Sequence, residues 1–373
     1  MHALTSVPNP ITPQWLGAVL RQARVLRSGE VKRIEHQTGG AFNSRLSHLF
    51  VHYARGAPPG SPRRLVLKQN IHEAWGKEAG MEEVKFYQLV ASLPDHPPVI
   101  VPCYAATYDE QTGGSFLLLH DLSETHRPPI TRDQQISIVE GVPRRVDIEA
   151  VIDTLAQIHT YWWEHPEREA NRFEVGYWTR NADRFAQYLH RRKTAWDSLR
   201  SHEHAWFPDD LSALYERVFV HLPGYWEQYL KPRFHAKMKL TLVHGDAYFA
   251  NFLCPKRPGT EATYLLDWQS PTFDIGGYDL ANLCATFWTS QQRHENQREE
   301  TMLRRYHTVL QDRGVDNYSW DELTTDYKTG LIFWLFMPVQ DRYDGAGKEY
   351  WWPKMQCLVA AFQDWGCEKL LGI

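Results

Sequence analysis

Apolar and polar residues alternate in short segments over the first third of the chain, which is the pattern of a β-strand with one buried face. Turn-forming residues separate these segments at 38–44, 56–62 and 109–114. The pattern predicts strands over residues 31–37, 45–53, 64–69, 99–108 and 115–120. Apolar residues at helical spacing predict an opening helix after Thr12-Pro13 and a second helix over 78–93. We therefore expect a five-stranded antiparallel sheet with one main helix.

Helical spacing dominates the rest of the chain. The predicted helices cover residues 147–164, 180–201, 209–230, 297–313, 320–337 and 350–371. Short apolar segments at 240–243 and 263–267 are predicted strands, and the polar, proline-containing stretch 125–143 is interpreted as a linker. These elements predict an α+β fold, with a small β-rich domain over 1–122 and a larger, mostly helical domain over 123–373.

Charge and cysteine usage narrow the class of partner. The 373 residues carry a net charge of −4, so the chain lacks the basic field that binds nucleic acids or anionic membranes. Five scattered cysteines without a C-x-x-C motif favour neither a zinc site nor a disulfide framework. The first residues lack a signal-peptide layout, and no apolar run is long enough to span a bilayer. We expect a cytoplasmic protein whose partner is a small molecule.

Two carboxylates and one amide follow predicted strands in the second half of the chain. Asp246 and Asn251 share a loop after the apolar residues 240–243, and Asp267 ends the next predicted strand. Phosphoryl transfer needs a carboxylate near the attacking hydroxyl and oxygen ligands for magnesium. The spacing therefore predicts Asp246 as the catalytic base and Asn251 and Asp267 as Mg²⁺ ligands.

The loop His244-Gly245-Asp246 with Asn251 five positions later, followed by Leu-Asp-Trp at 266–268, resembles the aminoglycoside phosphotransferase and choline kinase superfamily. These relatives of protein kinases have the catalytic loop H-G-D-x-x-x-x-N. The upstream elements occur in the matching order, so the resemblance extends over about the whole chain. It implies a two-lobed, protein-kinase-like fold and an ATP- and Mg²⁺-dependent phosphotransferase with an alcohol group as acceptor.

The resemblance also implies roles in the first domain. Lys68, at the end of a predicted strand, would contact the α- and β-phosphates, and Glu83 would hold it in position, with Glu82 as the competing partner. The other implied nucleotide-binding residues form a glycine turn over the phosphates and a hinge at the adenine edge, namely Gly39, Gly40, Asn43 and Ser44, then Leu119, His120, Asp121 and Leu122. By itself the glycine turn is typical of an ordinary hairpin.

Two residues of the second domain are assigned supporting roles by the same resemblance. Asp279, at the start of a helix, would brace the catalytic loop through hydrogen bonds. His244 would pack under the loop and orient it, since neither metal binding nor proton transfer requires it in this chemistry.

The chain departs from protein kinases at the residue before the catalytic aspartate. Gly245 replaces the arginine of H-R-D, and no A-P-E segment follows Asp267, so a protein substrate is not expected. Residues 11–16 and 155–163 look closest to ecdysteroid-kinase-like members, which implies a hydroxylated, rather hydrophobic acceptor.

The acceptor stays open at the level of sequence. An antibiotic, a sterol-like alcohol and a choline-like alcohol all fit, as does an amine or a carboxylate acceptor, and a catalytically inactive kinase fold that binds nucleotides or acts as a scaffold is the alternative function. The second half is rich in aromatic residues, which either fill the core or line the acceptor site. The candidate wall residues are Trp162, Trp163, Trp268 and the tryptophans of 334–352. Sequence spacing determines neither the choice between ATP and GTP nor the oligomeric state.

Overall fold

The structure, a computed structural model, describes residues 6–40, 44–138, 140–259 and 261–373. The chain forms two compact units. The first comprises Met1–Arg127 and Pro255–Pro271, and the second comprises Pro128–Cys254 and Thr272–Ile373. The segment Pro255–Pro271, which the sequence analysis assigned to the domain 123–373, thus lies with the first unit.

The elements follow one another in chain order. The strands are β1 Val31–Gly40, β2 Ser44–Tyr53, β3 Arg64–Asn70, β4 Cys103–Asp109, β5 Gly114–His120, β6 His126–Arg127, β7 Thr241–Val243, β8 Phe252–Pro255, β9 Tyr264–Leu265 and β10 Thr272–Asp274. The α-helices are α1 Pro13–Gln22, α2 Ala74–Ser92, α3 Arg132–Ser137, α4 Arg145–Tyr161, α5 Ala182–Glu203, α6 Asp209–Tyr225, α7 Lys231–Ala236, α8 Gly277–Ala285, α9 Ser290–His294, α10 Arg298–Asp312, α11 Trp320–Trp334, α12 Met337–Tyr343, α13 Lys348–Asp364 and α14 Cys367–Leu371.

The first unit is built on an antiparallel five-stranded sheet with the order β1-β2-β3-β5-β4. Because side chains alternate between the two faces of a strand, Leu65 and Leu67 of β3 share one face. That face packs in a core with Leu16 and Leu20 of α1. Lys68 lies on the opposite face, towards α2. The alternation in β3 therefore directs one lysine away from the apolar core and towards a helix that carries carboxylates.

The second unit is mostly helical and holds the short antiparallel pair β7–β10, in which Leu242 faces Phe273. All three residues of β7 are buried. Helices α8 and α11 pack closely, and a Cβ atom at Gly277 would clash with the backbone of Asp326, so this crossing requires glycine. The close crossing fixes the start of α8 beside the end of β7.

The predicted α+β fold, with a β-rich first part and a mostly helical remainder, is confirmed. The stretch predicted as a linker contains α3, which Thr131 and Gln134 begin with a reciprocal capping box. The predicted helix 350–371 is interrupted because Gly366 adopts a left-handed φ of 61°, which separates α13 from α14. In the parts of the chain that the structure describes, no helix is long and apolar enough to cross a membrane.

Candidate active site

Lys68 of β3 is held between two carboxylates of the first unit. Its Nζ donates to Glu83 of α2, at 2.8 Å to Oε1 and 2.7 Å to Oε2, and it also donates to Asp267. Glu82 instead pairs with Lys85, at 2.7 Å. The structure thus resolves the choice of partner in favour of Glu83, because Glu83 lies on the buried side of α2.

Burial and charge act against each other in this cluster. Burial raises the pKa of Glu83 to about 7, although the neighbouring Lys68 charge opposes the shift. Burial disfavours the Lys68 ammonium, but the Glu83 and Asp267 carboxylates outweigh that effect and its pKa lies above the ordinary value. Lys68 is therefore a fixed cation whose position depends on two anions.

The backbone at Asp267 is strained. Its φ of 69° lies in the left-handed region, which non-glycine residues seldom adopt. Gln269 stabilises this conformation, with its N–H donating to the Asp267 carbonyl at 2.8 Å and its Nε2 to Asp267 Oδ1 at 2.9 Å. The tight turn directs the carboxylate towards Lys68.

Trp268 anchors the same turn. Its indole stacks on Phe86 of α2, with the ring centroids 3.9 Å apart and the planes 8° from parallel, and its Nε1 donates to the Leu265 carbonyl. The Trp268 and Trp162 side chains are fully buried, and Trp334 is only 2% exposed. These three tryptophans, candidate walls of the acceptor site in the sequence analysis, are core residues.

The predicted catalytic loop leaves β7 in the second unit. Gly245 has a φ of 81°, a conformation that favours glycine. The Asn251 side-chain nitrogen donates to the Asp246 carbonyl at 2.8 Å and lies 3.4 Å from the Asp246 Oδ2. The Asp246 N–H donates to Nδ1 of the buried His244 at 3.2 Å. These bonds bring Asp246 and Asn251 together and show His244 packed under the loop.

Asp279, in the first turn of α8, braces the loop. Its Oδ2 accepts the His244 N–H at 2.6 Å, and its Oδ1 accepts the Gly245 N–H at 2.9 Å. His159 Nε2 lies 3.1 Å from Asp279 Oδ2, and His159 Nδ1 lies 2.7 Å from the Tyr306 hydroxyl. Burial would raise the pKa of Asp279, but the hydrogen bond and charge of His159 hold it below the ordinary value. The bracing contact implied by the resemblance is present.

Replacing Asp279 with alanine should lower the free energy of unfolding by about 3–5 kcal/mol, because two backbone N–H groups and one imidazole would lose a buried acceptor. Urea denaturation followed by circular dichroism measures the change. Asp183→Ala is the matched control, since Asp183 also lies in the first turn of a helix but is exposed. A loss at Asp279→Ala no larger than that of the control would contradict the bracing role.

The predicted phosphate turn is only partly described. Gly39 and Gly40 end β1, and Ser44 begins β2 with a buried side chain. Asn43 lies outside the described residues. Gly40 pairs with Arg45, so the two strands run together up to the turn.

The predicted hinge comprises the last two residues of β5, of which His120 is half-buried, and the buried Asp121 and Leu122 that follow. The His120 N–H donates to the Pro102 carbonyl at 2.9 Å and the Asp121 N–H to the Arg64 carbonyl at 3.2 Å. The Leu122 carbonyl accepts from Thr125 and His126, while Leu119 is buried in the sheet. These bonds do not use the Leu122 N–H or the Asp121 carbonyl. These two groups are therefore the ones to consider as hydrogen-bond partners of an adenine edge.

Sequence reasoning did not identify His159 and Tyr306 as supports of the loop. Both lie in helical segments whose apolar spacing gives no sign of a polar contact, and the bond between them joins positions 147 residues apart.

In the described ranges no group of three or more His, Cys, Asp or Glu side chains forms a metal cluster. The predicted Mg²⁺ ligands are one aspartate and one asparagine, so their assignment does not depend on such a cluster.

Several solved structures are similar to this chain at low sequence identity. The GDP complex of wild-type aminoglycoside 2'-phosphotransferase-IIIa is 15% identical, with a TM-score of 0.49 and 92% of each chain covered. Choline kinase LicA from Streptococcus pneumoniae is 18% identical, with a TM-score of 0.47, covering 90% of this chain and 94% of that one. Spectinomycin phosphotransferase APH(9)-Ia, in complex with ADP and spectinomycin, is 12% identical, with a TM-score of 0.48 and coverage of 97% and 98%. No curated protein matches the chain.

One protein family matches most of the sequence. The family DUF1679, described as "Uncharacterized oxidoreductase dhs-27", matches residues 77–338, which is more than half of the 373 residues. The matched range contains Glu83, the loop of Asp246 and Asn251, Asp267 and Asp279. The chain belongs to this family, which is ecdysteroid-kinase-like and consistent with the resemblance to the aminoglycoside phosphotransferase and choline kinase superfamily.

Proposed function

We propose that this chain is a small-molecule kinase that transfers the γ-phosphoryl group of ATP to a hydroxyl group of its acceptor. The observation that carries the proposal is the Lys68 ammonium, which is held between Glu83 and Asp267 on a side chain that is only 12% exposed. Such a fixed cation suits the α- and β-phosphates of a nucleotide. The loop of Asp246 and Asn251, braced by Asp279, supports the same chemistry.

The proposed roles fall on residues of both units. Lys68 orients the triphosphate, and Glu83 keeps Lys68 in place. Asp246 accepts the proton of the acceptor hydroxyl as that oxygen bonds to the γ-phosphorus, while the bond to the β-phosphate oxygen breaks and ADP leaves. Asn251 and Asp267 would hold Mg²⁺ through the oxygen ligands that this ion prefers, and the ion would supply neutralisation of phosphate charge.

The nucleotide is assigned to the domain 1–122 and the acceptor to the domain 123–373. Gly39, Gly40, Asn43 and Ser44 would cover the phosphates through backbone N–H groups. Along Leu119, His120, Asp121 and Leu122, the adenine edge would use the Asp121 carbonyl and the Leu122 N–H, because the His120 and Asp121 N–H groups and the Leu122 carbonyl form other main-chain hydrogen bonds.

The family description names an oxidoreductase, and the geometry favours a kinase over that reading. A dinucleotide-binding fold has a parallel sheet and a G-x-G-x-x-G turn after its first strand. The five-stranded sheet here is antiparallel, and the sequence contains no G-x-G-x-x-G.

The proposal is tested by incubating the full chain with Mg²⁺, ATP or GTP and a panel of sterols, macrolides, aminoglycosides, choline analogues and simple alcohols. We expect acceptor-dependent ADP release, and phosphorus NMR of the product should show a phosphate ester rather than a phosphoramidate or an acyl phosphate. Nucleotide binding without turnover of any acceptor would favour the inactive, nucleotide-binding alternative. Acceptor-dependent oxidation or reduction of a nicotinamide cofactor would favour the oxidoreductase.

ATP affinity should fall as the pH is lowered through about 7. The pKa of Glu83 is raised to about 7, so the carboxyl is increasingly neutral below that pH and Lys68 loses one of its two anions. Loss of one charge-assisted hydrogen bond corresponds to about tenfold weaker binding. Calorimetric titration with ATP between pH 6 and pH 8 measures the change.

The triphosphate also titrates in this pH range, so variants are needed to separate its contribution to the pH dependence from that of Glu83. Glu83→Gln should lose the part of the pH dependence that belongs to the protein, whereas Glu82→Gln should keep it, because Glu82 pairs with Lys85. Equal pH profiles for Glu83→Gln and the unmodified chain would refute the role of Glu83.

A further inference from the structure

A second buried lysine lies beside the catalytic loop. Lys354 of α13 is 1% exposed, and its Nζ donates to Asp341 Oδ2 of α12 at 2.8 Å and to the Tyr248 hydroxyl at 3.2 Å. Burial disfavours the ammonium, but the charge of Asp341 outweighs that effect, and the pKa of Lys354 lies well above the ordinary value. The buried side chain is therefore a cation.

Four aromatic rings surround this ammonium. Its Nζ lies 5.8 Å from the ring centroids of Tyr248, Phe287 and Trp334, and 5.3 Å from that of Tyr350. The rings also touch one another, with centroids 5.7 Å apart for Tyr248 and Phe287 and 5.8 Å apart for Phe287 and Tyr350. We call the four rings and Asp341 the cation cage.

The cation cage shares a wall with the catalytic loop. Tyr248 lies two positions after Asp246, and its N–H donates to the Asp246 carbonyl at 2.9 Å. The Tyr248 hydroxyl in turn accepts from Lys354. The residue that accepts from the internal ammonium therefore belongs to the same loop as the proposed catalytic base.

A carboxylate within a box of aromatic rings is the chemistry that recognises ammonium ligands, through ring quadrupoles and one ion pair. An ion pair alone needs no such box, and burying a lysine costs free energy that an apolar side chain would not. We propose that the cation cage is an ammonium-binding site that this chain fills with its own Lys354, so that the acceptor beside Asp246 is an uncharged or anionic hydroxyl compound.

The second half of this inference rests on the proposed kinase function. A cationic acceptor would find the rings and their carboxylate already occupied by Lys354, whereas a sterol-like or other neutral alcohol requires no ammonium-binding site. Among the acceptors considered from the sequence, the choline-like and aminoglycoside-like ones are therefore disfavoured.

The cage itself is tested without any turnover. Lys354→Ala removes the atoms that n-propylammonium would replace, so n-propylammonium chloride should stabilise the variant saturably against heat, with a Kd on the order of 1 mM. Sodium chloride at equal concentration and n-propanol serve as controls for charge and for the alkyl chain. Lys348→Ala is the matched variant, since Lys348 also lies on α13 and over a ring, that of Trp206, but is exposed.

The proposed ammonium-binding site would be overturned if n-propylammonium stabilised Lys354→Ala no more than it stabilises the unmodified chain or Lys348→Ala. If Lys354→Ala does not fold alone, the refolding yield is measured with and without n-propylammonium instead. Equally poor refolding under the two conditions would also overturn the site. In the unmodified chain tetramethylammonium should not bind, and a calorimetric Kd below about 1 mM would contradict an occupied cage.

The acceptor class is tested separately. The unmodified chain should phosphorylate neutral hydroxyl acceptors in preference to ammonium-bearing analogues of similar size, and Lys354→Ala should shift the ratio of kcat/KM values towards the ammonium analogues by about tenfold. If the unmodified chain preferred ammonium-bearing acceptors, the inferred class of uncharged or anionic acceptors would be wrong. Absence of all turnover, together with n-propylammonium binding to Lys354→Ala, would refute the proposed kinase function and leave the cage standing.

Discussion

Replacing Asp246 with asparagine should lower turnover of the acceptor by about 10³-fold, while ATP still binds. Loss of a positioned general base typically costs 10²–10⁴-fold in rate, and an amide cannot accept the hydroxyl proton. The substitution keeps the loop, because Asn251 donates to the Asp246 main-chain carbonyl and Asp279 accepts from the neighbouring N–H groups. Steady-state release of ADP in the presence of the best acceptor from the screen measures the effect.

The interpretation of this variant depends on an intact loop. Equal urea denaturation midpoints and equal ATP affinity for Asp246→Asn and the unmodified chain would show that only the chemical step has changed. Asp183→Asn provides a matched loss of one surface carboxylate and should retain full turnover. If Asp246→Asn keeps more than about a third of the turnover, Asp246 is not the base.

Periodicity predicted the sheet well because each strand of the first unit buries one face. In β3 the buried Leu65 and Leu67 alternate with Val66 and Lys68, which is the pattern that the sequence displays. The short strands β8 and β10 were not predicted. Their position depends on tertiary pairing, such as that of Phe273 with Leu242.

The local part of the candidate site was also accessible from sequence. Asp246 and Asn251 meet because five positions of one loop separate them, and Glu83 faces Lys68 because helical spacing places it on the buried side of α2. The support of the loop was not accessible in the same way. The contact of His159 with Asp279 joins positions 120 residues apart, and only the resemblance to a family pointed to Asp279.

The aromatic residues show the same limit. Composition alone allowed the tryptophans of the second half to be core or pocket, and packing decides between the two. Both Trp268 and Trp334 are buried: Trp268 stacks on Phe86, and Trp334 contributes a ring to the cation cage around Lys354. The cage brings together residues from the catalytic loop, α11, α12 and α13, and the Lys354–Tyr248 contact alone spans 106 positions, so no spacing in the sequence could have indicated it.

Replacing Asp267 with asparagine should lower turnover by about 10³-fold and raise the Mg²⁺ concentration for half-maximal activity by about tenfold. Neutralisation of phosphate charge by bound metal is worth several kcal/mol in phosphoryl transfer, and an amide oxygen binds Mg²⁺ more weakly than a carboxylate. Asparagine is the appropriate substitution, because it tolerates the left-handed φ of 69° far better than alanine. Initial rates measured across a Mg²⁺ titration at saturating ATP separate the two effects.

The turn that carries Asp267 supplies a control that leaves the carboxylate in place. Gln269→Ala removes the hydrogen bond of 2.9 Å to Asp267 Oδ1 but neither the charge nor the contact with Lys68. If Asp267 binds the metal and Gln269 only supports the turn, the two variants should behave differently. Gln269→Ala should lose less than about tenfold in turnover and keep the Mg²⁺ dependence of the unmodified chain. If Asp267→Asn keeps that Mg²⁺ dependence as well, Asp267 acts through Lys68 alone and the metal assignment fails.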